Sequence, residues 1–271
     1  MQIHNFGQKY DMNNLRKLVW VTGASSGIGK ALCHAYGNDN FDLVLSGRRV
    51  EALKKVAASI STQSTIINFD VEDYSAIDQA LAKLKEMESF PDIIVLNAGI
   101  SQRSYASDTD IGVTERIMKV NFFSNVYIVK SLLPEIKRNK THLVIISSVS
   151  GKLGSQMRSS YSASKHALHG YFDSLRAELA SDGVNVTLVC PGYVATDISL
   201  NALTGDGKSQ QSMDINTANG ISPEYLASKV IKAVDQNKKE VYIGGKEVMA
   251  IYLQRFLPSI LRRLTAKNKP K

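Results

Sequence analysis

Short, strongly apolar runs recur along this chain, and the stretches between them change to a helical period. The runs are Lys17–Val21, Phe41–Ser46, Thr65–Phe69, Asp92–Leu96, Leu143–Ser148, Val184–Val189 and Glu240–Gly244. Asp92-Ile-Ile-Val-Leu96 shows the type: nearly every position is apolar, as a strand buried on both faces requires. Between the runs, apolar residues return every three to four positions. Lys30–Tyr36 and Val50–Ile60 show this, as do a segment starting near Ser75, a long one from Gly112 to Leu133, and Ala163, Ala167, Leu168, Tyr171, Leu175 and Leu179. Ser222-Pro223-Glu224 reads as a helix start, with Ser222 as cap and Pro223 in the first turn. Strand and helix therefore alternate over residues 1–271, which predicts one α/β domain: a doubly wound parallel sheet of about seven strands with helices on both faces. Residues 199–220 break the rhythm. They are polar, contain glycine and have no period, so the expectation is a substrate lid or a locally disordered stretch.

Candidate chemistry gathers where apolar runs end. Tyr161 and Lys165 lie four residues apart on a helical segment, so a phenol and an ammonium share one face. A cation held there lowers a phenol pKa that is about 10 in water, which suits an acid that must also act as a base. Alone, such a pair is an ordinary surface neighbour, and its company decides. The first run leads into Thr22-Gly-Ala-Ser-Ser-Gly-Ile-Gly29 and then a helix. Strand, glycine turn and helix amino terminus together make a pyrophosphate cradle, with free N–H groups and a positive dipole end. The glycines Gly23, Gly27 and Gly29 are spaced G-x-x-x-G-x-G.

With the loop and the Tyr161/Lys165 pair go Asn97-Ala98-Gly99, Asn121, Ser148, and Pro191-Gly192 followed by Thr196. In that order and spacing the chain resembles the short-chain dehydrogenase/reductase family, whose fold is the Rossmann-type doubly wound sheet. Arg158 to Leu168 and Asn201 to Lys208 resemble its hydroxysteroid-dehydrogenase-like branch. The resemblance implies that Ser148 hydrogen-bonds the reacting oxygen, Tyr161 exchanges its proton, and Lys165 assists the tyrosine and binds ribose hydroxyls. It implies that Asn121 holds a water in the proton path. Cofactor contacts would fall on Gly23, Ser25, Ser26, Gly27, Ile28, Gly29, Asp70, Val71, Asn97, Ala98, Gly99, Pro191, Gly192, Val194 and Thr196, besides Tyr161 and Lys165. Asp70 could equally cap the next helix. Where this family commonly has two asparagines, Leu96 replaces the first.

Past the second run, the residue that meets the adenosine ribose is Ser46 rather than an acid, and Arg48 follows. An arginine there suits the 2′-phosphate, which favours NADP(H) over NAD(H). A basic residue before the second loop glycine, another mark of NADP, is absent, since Ser26 stands there. The expected activity is interconversion of a carbonyl and a secondary alcohol on a small, apolar substrate by hydride transfer. Two alternatives stay open: a non-catalytic dinucleotide-binding sensor or scaffold, and a nucleotide-sugar epimerase or dehydratase. Arg103, in a polar stretch from Ile100 to Thr109 beside the expected cleft, could meet a substrate anion, but reads first as an exposed loop arginine.

Composition adjusts this picture little. The chain is 44% hydrophobic and 21% charged, ordinary for a globular protein. Its two cysteines, Cys33 and Cys190, fall on a helix and a strand end and read as core thiols in a reducing compartment. His166 and His169 are three apart on one helix with no third ligand nearby, so they read as structural and no metal is expected. The amino-terminal stretch Met1 to Asn14 is polar, no run reaches the roughly 18 apolar residues of a span, and a cytoplasmic location follows. The net charge of +8 sits largely in six basic residues between Arg255 and Lys271, where no acid falls, so nucleic acid is not an expected partner. In the tail, 249–271, Met249, Leu253, Phe256, Leu257, Ile260 and Leu264 recur at helical spacing, with Pro258 breaking any helix. Such a basic amphipathic stripe either packs on a neighbouring subunit of a homodimer or homotetramer, or rests on an anionic membrane.

Overall fold

The computed structural model describes residues 16–267, so the polar amino-terminal stretch, Lys269 and Lys271 lie outside the described residues, as does the side chain of Lys267. Within them the chain runs β1 (Leu18–Thr22), α1 (Gly27–Asn38), β2 (Asp42–Ser46), α2 (Val50–Ala58), β3 (Ser64–Ile66), α3 (Tyr74–Lys85) and β4 (Ile93–Leu96). It continues through α4 (Ile111–Met118), α5 (Ser124–Ser131), α6 (Leu133–Asn139), β5 (His142–Ile146), α7 (Ser159–Glu178) and β6 (Val186–Pro191). The last elements are α8 (Ile215–Ala218), α9 (Pro223–Asp235), β7 (Glu240–Ile243), α10 (Met249–Phe256) and α11 (Pro258–Lys267). Among the described residues the strands form one parallel seven-stranded sheet in the order β3-β2-β1-β4-β5-β6-β7.

Alternation along each strand divides the core into two layers. Val19, Val21, Leu43, Leu45, Val144 and Ile146 face α1, α2 and α9 through Leu32, Leu53, Leu226 and Val230. Trp20, Val44, Leu143 and Ile145 face the other way, onto Ile77 of α3, Ile128 of α5 and Phe172 of α7. The period of two in side-chain direction thus supplies both cores from one set of strands. The order reverses at β1, with β2 on one side and β4 on the other. That reversal opens a crevice at the carboxyl ends of the strands, where such sheets bind ligands.

Three boundaries differ from the pattern-based expectation. The third strand stops at Ile66, and Phe69 is core without being strand. The expected single helix from Gly112 to Leu133 is interrupted by a π turn over Lys119–Phe123, where Ser124 N–H donates to Lys119 O, and it ends at Ser131. The 199–220 segment is not loose: Leu203 N–H donates to Ser101 O at 2.9 Å, Arg103 N–H to Leu203 O at 2.8 Å, and Gln210 N–H to Ala202 O at 2.8 Å. In the tail Pro258 does break the helix, with Leu257 leaving helical geometry between α10 and α11. Ile251 and Leu261 pack inward, while Met249, Phe256, Leu257, Ile260 and Leu264 are exposed. Among the described residues no helix is long and apolar enough to cross a membrane.

Candidate functional site

The glycine turn is built by covalent necessity. Gly23 has φ of +67°, and a Cβ there would come within 2.8 Å of Asn97 Nδ2. A Cβ on Gly29 would meet Gly23 O at 2.2 Å, so α1 can approach β1 only without a side chain at that position. Asn97 and Thr22 lock the neighbouring strand ends: Asn97 Nδ2 donates to Thr22 O at 2.9 Å, and Thr22 Oγ1 accepts from Asn97 N–H at 3.0 Å and Ala98 N–H at 3.1 Å. The result is a side-chain-free cradle against the amino terminus of α1, whose first N–H groups have no partner within the helix.

This cradle opens into a cleft of about 480 Å³ that runs along the carboxyl edge of the sheet. Eighteen of the twenty site residues expected from sequence line it: Gly23, Ser25, Ser26, Gly27, Ile28, Arg48, Asp70, Val71, Asn97, Ala98, Gly99, Ser148, Tyr161, Lys165, Pro191, Gly192, Val194 and Thr196. Gly29 acts from behind, by its closeness to Gly23. Asn121 also stands behind the wall, fully buried.

At the sheet's middle, β5 delivers Ser148, and α7 lays Tyr161 and Lys165 beside it. Lys165 Nζ donates to Ile146 O at 2.8 Å and lies 5.8 Å from the centre of the Tyr161 ring. Burial pulls the Lys165 ammonium down to a pKa of about 8. Ser148 Oγ accepts from Ser150 N–H at 3.1 Å. The start of α7 is capped from elsewhere: Gln102 Oε1 accepts from Ser160 N–H at 2.8 Å and Tyr161 N–H at 3.3 Å. Gln102 itself is fully buried, its amide donating to Ser104 Oγ and Thr109 Oγ1. Nothing local in the sequence marks it as the cap of a helix more than fifty residues away.

The Asn121 side chain is held entirely by protein partners. Its Oδ1 accepts from Ile100 N–H at 2.8 Å, and its Nδ2 donates to Ile100 O at 3.0 Å and to Ser164 Oγ at 2.9 Å. The side-chain amide thus ties the loop after β4 to the face of α7 that carries Tyr161 and Lys165. Ser164 Oγ passes the link on to Tyr161 O at 2.7 Å.

At the adenosine end, Arg48 lies 3.6 Å from Asp70 and 3.8 Å from Glu72, and Arg116 pairs bidentately with Glu72. Arg49 reaches Ser25 Oγ at 3.2 Å, and Ser46 Oγ is occupied by Trp20 Nε1 at 2.8 Å. Asp70 does not cap α3. Asp73 does, accepting from Ser75 and Ala76 N–H, while Asp70 accepts from Glu72 N–H at 3.0 Å.

Two expectations fail here for the same reason. Arg103 is not an exposed loop residue: its side chain is 8% exposed, it lines the cleft, and it pairs with Asp214. His169 does have further ligand types nearby, since Cys190 and Glu240 converge on it within 4.8 Å. Lys152 already neutralises Glu240 at 2.8 Å, and burial holds the Cys190 thiol far above its usual pKa. Each partner lies far away in sequence, so no spacing reveals it.

Comparison with known proteins agrees with this geometry. A family model described as short chain dehydrogenase matches residues 17–206. A dehydrogenase/reductase SDR family member 7B from Xenopus tropicalis is 38% identical over 265 residues, covering 94% of this chain and 86% of the relative. A short-chain dehydrogenase structure from Streptomyces avermitilis superposes with a TM-score of 0.79 at 28% identity, covering 93% of this chain and 96% of that one. A further one, from Sphingobium yanoikuyae in complex with NADPH, gives a TM-score of 0.76 at 22% identity, with 93% and 96% covered. The cradle, the Ser148–Tyr161–Lys165 group and these relatives place the chain in the short-chain dehydrogenase/reductase family of NAD(P)-dependent oxidoreductases.

Proposed function

We propose that this chain uses NADP(H) to interconvert a carbonyl and a secondary alcohol, with Tyr161 as the acid and base. The observation that carries the reading is the convergence of Ser148, Tyr161 and Lys165 on one cleft that also holds a side-chain-free cradle. Those residues fit a nicotinamide dinucleotide: Gly23, Gly27 and the start of α1 would take the pyrophosphate, Arg48 the ribose phosphate, and Thr196 the carboxamide. The cofactor, when bound, supplies or accepts the hydride. Ser148 hydroxyl donates to the carbonyl oxygen and so meets the charge that develops on it. Tyr161 gives that oxygen its proton in reduction and takes it back in oxidation. Lys165, buried against Ile146 O, places a cation beside the phenol and would bind the ribose hydroxyls of the cofactor. Asn121 acts as a positioning residue, holding α7 against the loop after β4.

Arg48 supports NADP(H), because it lines the cleft and Ser46, not an acid, ends β2 just before it. Residues 199–220 serve as the substrate lid, since Asn201, Leu203, Gly207 and Ser209 line the cleft. The test is a panel of steroids, retinoids, quinones and acyl ketones offered to the purified protein while NADPH absorbance is followed. Consumption that depends on a ketone supports the reading. Tight NADPH binding without consumption on any member would favour a sensor or scaffold.

A further inference from the structure

Beyond Tyr161 the cleft is bounded by two guanidiniums from separate stretches of the chain. Arg103 belongs to the loop after β4, and Arg158 stands at the N-cap of α7; their side chains are 8% and 19% exposed. Both line the cleft. They share one counter-ion: Asp214 Oδ2 accepts from Arg103 Nε at 2.7 Å, from Arg103 Nη2, and from Arg158 Nη2 at 3.3 Å. Asp214 is not among the residues that line the cleft, so the carboxylate backs the two cations.

The two arginines are not equally satisfied. Arg103 also donates to Ser101 Oγ at 2.8 Å and to Gln102 O at 2.6 Å. Arg158, among the described residues, makes no side-chain hydrogen bond besides the one to Asp214, and otherwise rests 5.6 Å over the Tyr193 ring. Two cations against one shared carboxylate leave a positive charge over, in a place where desolvation is costly. The carboxylate of Asp197 also lines the cleft, but it makes no ion pair with either arginine. Burial and the charge of Arg103 both pull the Arg158 pKa below its usual range, yet a guanidinium remains ionised at any physiological pH. A fork of free N–H groups kept charged and half-dry fits a planar or tetrahedral oxyanion.

We propose that Arg158, backed by Arg103, binds a carboxylate or phosphate on the substrate, so that the ketone is anionic at one end. This rests on the reductase reading for the ketone, but the anion subsite stands on its own geometry. Arg158 stands at the N-cap of α7, three residues before Tyr161, and both line the same cleft, so the anion subsite and the phenol face one substrate. Ile100, Val120, Ile198 and Leu203 line the cleft as well and leave an apolar wall for an alkyl portion.

The test has a binding arm and a kinetic arm. With the full chain saturated in NADPH, so that the cofactor's own phosphate sites are filled, inorganic phosphate and propionate are titrated by calorimetry into wild type, Arg158→Gln and Arg158→Lys. Wild type should bind at least one of them, and the Gln variant should bind it about tenfold or more weakly, in the range of a charge-assisted hydrogen bond. The Lys variant should recover part of the loss. Which anion binds more tightly separates a carboxylate end from a phosphate end. In the kinetic arm, 5-oxohexanoate and its neutral methyl ester, and hydroxyacetone phosphate and hydroxyacetone, are compared by NADPH oxidation. The ratio of kcat/KM for the anion over its neutral partner should exceed ten in wild type and collapse in Arg158→Gln. Unchanged anion binding in a Gln variant of wild-type melting temperature and NADPH affinity would overturn the subsite. Anion binding that needs Arg158, without turnover of any ketone, would instead count against the reductase reading and leave the subsite standing.

Discussion

Replacing Asn121 with alanine tests the way this site is held together. The amide makes three hydrogen bonds of 2.8–3.0 Å from a fully buried position, two to Ile100 backbone and one to Ser164. Each is worth about 0.5–1.5 kcal/mol net, and a donor left stranded in the interior costs more, so the loss is about 2–4 kcal/mol. For a domain of this size a kcal/mol moves the melting point by roughly 2–4 °C, which predicts a fall of roughly 4–16 °C. Differential scanning calorimetry without cofactor gives the number, and guanidinium unfolding gives the free energy independently. A double-mutant cycle with Ser164→Ala isolates the link to α7, and a coupling of about 0.5–1.5 kcal/mol is expected for residues in contact. Stability within about 0.5 kcal/mol of wild type would be no more than an ordinary surface change, and would refute the view that Asn121 fastens α7.

Arg48→Ala should weaken NADPH by about tenfold or more and NADH far less, because only NADPH carries the 2′-phosphate; nicotinamide fluorescence titrations measure both, and equal losses would remove Arg48 as the discriminator. The reduction rate should depend on the charge of Lys165. Burial places its pKa at about 8, below the usual lysine range, so the ammonium is present below that pH and lost above it. The kcat/KM for reduction should then fall by about tenfold per pH unit once pH has passed that value; a flat profile to pH 10 would contradict this. The exposed face of Phe256, Leu257, Ile260 and Leu264 is read as a subunit contact. Phe256→Glu with Leu264→Glu should lower the mass found by light scattering; unchanged mass, with wild-type protein floating on anionic vesicles and the variant not, would assign the face to membrane.

The fold was legible because its signals are local. Strands such as Ile93–Leu96 are buried on both faces, so burial appears as an unbroken apolar run. The cradle was legible because Gly23 and Gly29 answer to backbone geometry a few residues away. What escaped was set by pairs distant in sequence. Arg103 looks like a loop cation until Asp214, 111 residues on, folds back onto it. Gln102 caps a helix that begins 57 residues later, and the Asn121 amide is spent on Ile100 and Ser164, so neither role has a period or a motif. The π turn at Lys119–Phe123 is invisible for a further reason: its extra residue barely shifts an apolar pattern that continues on both sides.

The account rests most directly on the proton that Tyr161 carries. Tyr161→Phe removes the hydroxyl and keeps the ring that packs beside Lys165, so NADPH affinity and melting temperature should stay near wild type. Turnover of whichever ketone the wild-type protein reduces should drop by about 10²-fold or more, the usual cost of losing a general acid. Stopped-flow NADPH oxidation on a single turnover, with cofactor binding measured on the same preparation, separates the two quantities. A Phe variant that reduces the ketone at near wild-type rate would contradict the mechanism.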